Sequence, residues 1–120
     1  MPILAMNRQW VLAARPEGAV RESDFRLIET PLRPLEPGEF RIQTLYLGVA
    51  AVMRGYMLNT EKFERPLAIG DVMHGRGVGR IVESRHPDFV VGEIVHGKLG
   101  WQQFAIADGS AYFLMYKVRQ

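Results

Sequence analysis

Residues 66–107 read PLAIGDVMHGRGVGRIVESRHPDFVVGEIVHGKLGWQQFAIA, and seven glycines divide this stretch: Gly70, Gly75, Gly77, Gly79, Gly92, Gly97 and Gly100. Runs rich in β-branched and aromatic residues lie between them, as in RIVE, EIVH and WQQFAIA. A glycine inside or beside a strand marks a bulge, a tight bend or a close approach of two backbones. Several such corners within about forty residues predict a small, strongly curved sheet that closes into a barrel.

The composition is that of one globular domain. The chain has 120 residues, of which 48% are hydrophobic and 23% charged, and its formal net charge is +2. Its arginines are scattered along the chain, whereas a nucleic-acid surface requires them to cluster, so we expect no nucleic-acid partner. There are no cysteines, which excludes disulfides, thiolate zinc sites and cysteine nucleophiles. Neither a bilayer-spanning apolar run nor a signal peptide is recognisable, so we expect a cytoplasmic protein without a membrane partner.

Several further segments have the pattern of strands. Residues 8–14 and 25–30 are the first two, and residues 39–47 (EFRIQTLYL) show the best alternation. There we expect Phe40, Ile42 and Tyr46 on one face of the strand, with Arg41 and Gln43 on the other. Residues 101–107 and 111–118 supply two more strands. Residues 50–57 (AAVMRGYM) contain helix formers without alternation and predict one or two helical turns. Together these segments make seven or so short strands with little helix, which predicts an all-β barrel.

Two apparent chemical motifs have simpler explanations. His74, His86 and His96 are not spaced as metal ligands, so we expect no metal site. The segment GRGVG at 75–79 resembles part of a phosphate-binding loop, but it leads into another strand rather than a helix. We therefore interpret its glycines as barrel corners.

The predicted helix at 50–57 is the candidate site. Met53 and Met57 are four residues apart, so one interpretation is an apolar stripe that covers the end of the core. The alternative is functional. Arg54 and Tyr56 would then face a cleft, where arginine can bind an anion and tyrosine can donate a hydrogen bond. The residues alone favour the apolar stripe.

The order and spacing of several short motifs resemble one family over about residues 8–110. It is the N-terminal GroES-like domain of zinc-independent medium-chain dehydrogenase/reductases, in the branch of NADP-dependent alkenal, prostaglandin and curcumin double-bond reductases. The motifs are Tyr46-Leu47-Gly48-Val49, Met53-Arg54-Gly55-Tyr56-Met57, Gly70-Asp71-Val72-Met73, Gly77-Val78-Gly79, Val82-Glu83-Ser84, His86-Pro87, Val91-Gly92-Glu93 and Gly100-Trp101-Gln102.

The resemblance implies a partly open GroES-like barrel that forms one wall of a substrate cleft and precedes a Rossmann domain. Family members transfer a hydride from NADPH to an activated carbon–carbon double bond of a small enone or alkenal. By this resemblance Val52, Met53, Arg54 and Tyr56 are expected to line the substrate and cofactor cleft. The family usually has Asp-Pro-Tyr before Met-Arg, where this chain has Ala50-Ala51-Val52. The resemblance implies that residues 1–120 form this single domain without the Rossmann unit, so we expect no NADP bound to it.

Two hypotheses of different kinds remain at this point. The chain is either the cleft domain of an NADP-dependent reductase, inactive alone, or a stand-alone barrel that acts as a binding or oligomerisation module. We also expect a homo-oligomer, because apolar residues of the site and tail would be exposed without a second domain. These residues are Val52, Met53, Met57, Tyr112, Phe113, Leu114 and Met115.

Overall fold

The computed structural model describes residues 6–49, 53, 57–58, 67–110, 113 and 115–118. The elements in order are β1 (Met6–Leu12), a 3-10 turn (Glu22–Asp24), β2 (Phe25–Pro31), β3 (Phe40–Leu47), β4 (Arg76–Ser84), β5 (Ile94–Lys98), β6 (Phe104–Ala107) and β7 (Tyr116–Lys117). The prediction of a mainly β domain is confirmed. The helix predicted at 50–57 falls largely outside the described residues, and the short 3-10 turn was not predicted. No helix in the described part of the chain is long and apolar enough to cross a membrane.

The strands form two antiparallel sheets, and β1 connects them. One sheet is the β1–β2 pair, and the other has the strand order β6-β3-β4-β5-β7. The main-chain N–H of Trp10 donates to the carbonyl of Trp101 at 2.8 Å, and the N–H of Met73 donates to the carbonyl of Trp10 at 2.9 Å. Isolated bridges join Gln9 to Gln102 and Val11 to Val72. The curved sheet therefore folds back on the hairpin and encloses its core as a partly open barrel.

Two hydrophobic clusters fill the interior. The first lies within the five-stranded sheet and consists of Phe40, Ile42, Ile81, Val95, Leu99, Ala105 and Ala107. The second lies where β1 meets the loops, and consists of Leu12, Met53, Met57, Leu67 and Met73, with Phe25 and Trp101 packed against it. Burial of these apolar side chains contributes most of the favourable free energy of folding.

The alternation predicted for β3 is correct up to Gln43 and wrong at Tyr46. Phe40 and Ile42 are fully buried as predicted, but Tyr46 is 75% exposed. The register explains why: Thr44 pairs with Gly79 and Tyr46 with Val78, so Leu45 is an extra residue in β3. A bulge of this kind reverses the side-chain alternation beyond it. Arg41 lies on the opposite face, as predicted, but it is only 6% exposed, because the segment after β2 lies over that face and accepts a hydrogen bond from Arg41 at the carbonyl of Arg33.

Glycines in β4 allow its close approach to β3, as predicted. A Cβ atom placed on Gly79 would lie 2.6 Å from the carbonyl oxygen of Gln43, closer than any relaxed contact. Gly77 would likewise collide with the carbonyl oxygen of Tyr46. Since residues 76–79 of the segment GRGVG lie inside β4, this segment leads into a strand and is not a phosphate-binding loop.

The described part of the tail packs on the sheet and is not an exposed apolar patch. Within residues 111–118 the described strand is β7, Tyr116–Lys117, and it pairs with Val95 and His96 of β5. Phe113 and Met115 pack half-buried against the first cluster. Met53 and Met57 are also buried, at 7% and 2% exposure. The expected exposure is therefore wrong for Met53 and Met57, whereas Phe113 and Met115 stay partly exposed. Val52, Tyr112 and Leu114 lie outside the described residues.

Candidate substrate cleft

Met53 is the member of the predicted site that the structure describes. It is buried with Leu12, Met57, Leu67 and Met73, which confirms that Met53 and Met57 belong to one apolar cluster. The guanidinium of Arg15 donates to the carbonyl of Met57 at 2.9 Å, so the loop after β1 is tied to this segment. Val52, Arg54 and Tyr56 lie outside the described residues, and their place in a cleft stays a prediction.

Trp101 forms the aromatic wall beside Met53. Its ring stacks on Phe25 with centroids 5.3 Å apart and planes 25° apart. A Cβ on Gly75 would lie 2.9 Å from Cδ1 and Nε1 of Trp101 and 3.5 Å from Cε of Met53. Gly75 therefore provides the space in which the indole edge and the thioether meet. In the sequence, Gly100-Trp101-Gln102 was recognised only as a motif of the family, and no role was predicted for the indole ring.

The chemistry of this cluster is that of an apolar surface with one polar donor. Thioethers and aromatic rings are polarizable and adapt to irregular apolar ligands. The indole Nε1 of Trp101 is buried and has no hydrogen-bond partner in the described structure. None of the seven side chains in the cluster titrates near neutral pH, so these residues supply apolar packing and cannot act as an acid or base.

The histidines have structural environments. His86 lies in the turn after β4, where its Nδ1 accepts from the N–H of Asp88 at 3.0 Å and its ring meets Phe40 and Phe89 edge-on. His96 in β5 stacks on Tyr116 with centroids 4.8 Å apart. Across the described ranges no three histidine or carboxylate side chains come together as metal ligands do. That the protein binds no metal stays a prediction.

A second concavity, which we call the hairpin cleft, lies between the β1–β2 hairpin and the outer face of β3 and β6. Its volume is about 260 Å³, and it is lined by Asn7, Gln9, Thr30, Pro31, Leu32, Arg33, Arg41, Gln102, Phe104 and Ile106. The amides of Asn7 and Gln9 both donate to Oε1 of Gln102, at 3.0 and 2.8 Å. The hydroxyl of Thr30 donates to Oε1 of Gln9 at 3.3 Å. Sequence reasoning missed this cleft because its walls come from four separate parts of the chain.

Two ion pairs lie beside the hairpin cleft. Arg33 donates to both carboxylate oxygens of Glu39, at 2.8 and 2.9 Å. The hydrogen bonds from Arg33, followed by one from the N–H of Glu36, lower the pKa of Glu39 to about 2. Arg41 pairs with Glu83 at 2.5 Å. The two arginines are thereby held in place at one side of the cleft.

The fold is that of a known class of domain. Residues 8–115 match the sequence model of a family described as the N-terminal domain of oxidoreductase. The chain belongs to this family. Within it, the chain is a GroES-like domain of the zinc-independent medium-chain dehydrogenase/reductases, in the branch of NADP-dependent double-bond reductases, as its relatives indicate.

Three relatives illustrate the match. The NADPH-dependent curcumin reductase of Escherichia coli (strain K12) is 43% identical over 103 residues, which are 86% of this chain and 30% of that protein. Prostaglandin reductase 1 of Rattus norvegicus is 37% identical over 107 residues, 89% of this chain and 30% of the relative. The crystal structure of CurA in complex with NADPH from Vibrio vulnificus superposes with a TM-score of 0.84 at 35% identity, over 92% of this chain and 32% of that one. The chain thus spans about one third of the length of the relatives it matches.

Proposed function

We propose that this chain is the substrate-cleft domain of an NADP-dependent oxidoreductase that reduces the activated double bond of a small enone or alkenal. The likeness to NADPH-dependent curcumin reductase across nearly the whole chain carries this proposal. The apolar packing of Met53 with the partly buried Trp101 and Phe25 supports it, because an apolar surface next to the site suits the apolar part of an unsaturated substrate.

We propose separate roles for the cofactor and for the residues of this chain in the reduction of an enone. A hydride added to the β-carbon of an enone pushes an electron pair onto the carbonyl oxygen, and a proton taken up from solvent then adds to the α-carbon. NADPH bound to the complete enzyme would supply the hydride and become NADP⁺. In our proposal Arg54 or Tyr56 donates to the oxygen on which negative charge develops, which lowers the barrier if the donor is already in position. Val52 and Met53 would shape the apolar side of the same cleft.

Residues 1–120 are proposed to be inactive by themselves. In the Rossmann domains of this class, a helix N-terminus and a glycine-rich turn bind the pyrophosphate of the dinucleotide. GRGVG, the segment of this chain that most resembles such a turn, runs as strand β4. Hydride transfer also requires nicotinamide and alkene to be held in contact, and that positioning provides a large part of the rate. We therefore expect no tight binding of NADPH to these residues alone.

The test compares these residues alone with a chimera that joins them to the remaining two thirds of the Escherichia coli curcumin reductase. NADPH fluorescence titration reports cofactor binding, and enone consumption reports turnover. We expect neither from residues 1–120 alone and both from the chimera. In the chimera Arg54→Ala should lower kcat/KM by about tenfold or more, as loss of a transition-state donor does. Arg26→Ala, at an exposed position of β2, should leave the rate unchanged.

Turnover by residues 1–120 alone would contradict the proposed division of labour. A folded chimera that binds NADPH but does not reduce enones would contradict the proposed activity. The second candidate, a stand-alone barrel that acts as a binding or oligomerisation module, would then be preferred. It is favoured by Ala50-Ala51-Val52, which replaces the usual Asp-Pro-Tyr of the family beside the site.

The remaining assignments follow from this proposal. The partner is a small enone-class molecule, with no nucleic acid and no membrane involved. We propose a cytoplasmic protein, which the absence of cysteine suits. A homo-oligomeric state also stays a proposal, because the described members of the apolar patch expected to drive it are buried or half-buried.

A further inference from the structure

The hairpin cleft is separate from the proposed substrate cleft. Trp101 packs against the second hydrophobic cluster, which we call the methionine cluster. The next residue, Gln102, lines the hairpin cleft. Neither Met53 nor another member of the methionine cluster contributes to its walls. Anything bound in the hairpin cleft would therefore occupy a second site, distinct from the one proposed above.

One wall of the hairpin cleft contains a buried arginine with an unused donor. Arg41 is 6% exposed; its Nη1 donates to Glu83 and its Nη2 to the carbonyl of Arg33. Its Nε is buried and has no acceptor in the described structure. A buried N–H without an acceptor destabilises a fold, so such a group in a native structure calls for an acceptor from water or a ligand.

The remaining walls favour an organic anion over a bare inorganic one. The described lining contains two arginines and no carboxylate, and the two carboxylates beside it, Glu39 and Glu83, are already paired with those arginines. Pro31, Leu32 and Ile106, with the ring of Phe104, give an apolar surface beside the guanidinium. A carboxylate accepts strongly from an arginine N–H, and a short apolar tail would cover the hydrocarbon wall. The volume of about 260 Å³ is below the roughly 300–1,000 Å³ of pockets for drug-sized ligands.

We propose that the hairpin cleft binds a small monocarboxylate with an apolar tail, its carboxylate accepting from Nε of Arg41 and its tail against Leu32, Phe104 and Ile106. Gln9 and Thr30 form the opposite, polar wall. Because Nε has almost no solvent exposure, the carboxylate reaches it after a small shift of the surrounding side chains. Such adjustments of side chains at binding surfaces are common.

The experiment is an NMR titration of the chain with sodium benzoate, with benzamide as the neutral probe of the same shape and inorganic phosphate as the probe without a tail. The side-chain Nε–H signal of Arg41 and the backbone amides of Phe104 and Ile106 are followed. We expect saturable shifts at these groups with benzoate. Affinity should be about tenfold weaker for benzamide and for phosphate, the loss expected when a charge-assisted hydrogen bond or the apolar contact is missing.

A pair of variants tests the site without touching the Arg41 ion pair. Leu32→Glu places a carboxylate on the half-buried wall, and Leu32→Gln is its neutral counterpart of the same shape. Benzoate should bind about tenfold more weakly to Leu32→Glu than to Leu32→Gln. Arg41→Gln should abolish saturable binding, provided that circular dichroism shows a folded chain.

Four results would overturn the proposal. They are equal affinities for benzoate and benzamide, equal affinities of the two Leu32 variants, tighter binding of phosphate than of benzoate, and shifts that do not saturate. The last result would mean that water alone supplies the acceptor for Arg41. None of these results bears on enone reduction, so failure here leaves the proposed function standing.

Discussion

Substitution of Gly79 by alanine tests how closely β3 and β4 approach each other. The added methyl group would lie 2.6 Å from the carbonyl oxygen of Gln43, and it would collide with Cγ2 of Ile42 as well. The carbonyl belongs to a paired strand and cannot turn aside. The side chain of Ile42 is fully buried in the first cluster and has no space to move. The strands must therefore separate locally.

The magnitude follows from two opposing contributions. Overpacking of a well-filled core costs about 1–3 kcal/mol. Replacing glycine by alanine also lowers the conformational entropy of the unfolded chain, which stabilises the folded state by about 0.4–1 kcal/mol. The net loss of unfolding free energy is about 1–2 kcal/mol, which lowers Tm by roughly 5–10 °C in a domain of this size.

Urea unfolding followed by circular dichroism measures this loss, with Gly48→Ala as the matched control. A Cβ on Gly48 would lie 3.5 Å from the carbonyl oxygen of Arg76, an ordinary contact. We expect Gly48→Ala to be neutral or slightly stabilising, and Gly79→Ala to shift the midpoint without changing the slope. If the two variants unfold at the same urea concentration, the close approach of β3 and β4 at Gly79 is not a constraint on the fold.

Three further outcomes are expected. Glu39→Gln should be less stable than the parent at neutral pH. Because folding lowers the pKa of Glu39 from 4.5 to about 2, its stabilisation is complete above about pH 4.5 and is lost as the pH falls towards 2. Urea midpoints at several pH values should therefore converge in acid, and a constant gap would contradict this account. Elemental analysis of untagged protein should find no stoichiometric metal, and zinc whose removal unfolds the chain would refute that expectation. Sedimentation at micromolar concentration should show self-association, because β7 is the edge strand of its sheet and can pair with a second copy; a clean monomer would count against a homo-oligomer.

Local patterns in the sequence were sufficient for the architecture. The alternation of residues 39–47 placed β3 within one residue of its observed limits, Phe40–Leu47. Glycine spacing marked where β4 and β5 bend or approach a neighbour, since the backbone conformation and the space at a glycine are local properties. The strand predicted at residues 8–14 begins and ends two residues later than β1, Met6–Leu12. Errors of this size are usual at the ends of predicted strands.

Features that depend on distant parts of the chain were not predictable from the residues. The burial of Arg41 requires the segment after β2 to lie over the outer face of β3. The hairpin cleft requires residues near positions 7, 30, 41 and 102 to meet. The exposure of Tyr46 depends on the register with β4, which a single strand does not contain. Of the candidate site, the pattern predicted the apolar pairing of Met53 with Met57 but not the aromatic wall that Trp101 forms beside them.

The extra residue Leu45 divides β3 into an end whose side chains pack in the core and an end whose side chains are exposed. Before it, Phe40 and Ile42 point into the core, and a change there alters stability. After it, Tyr46 is 75% exposed, and Val49, just beyond the end of the strand, is 82% exposed, so substitutions there leave the core packing untouched. One strand can therefore hold a fixed interior while its outer end accumulates substitutions, and the surface next to the candidate site is free to diverge without loss of the barrel.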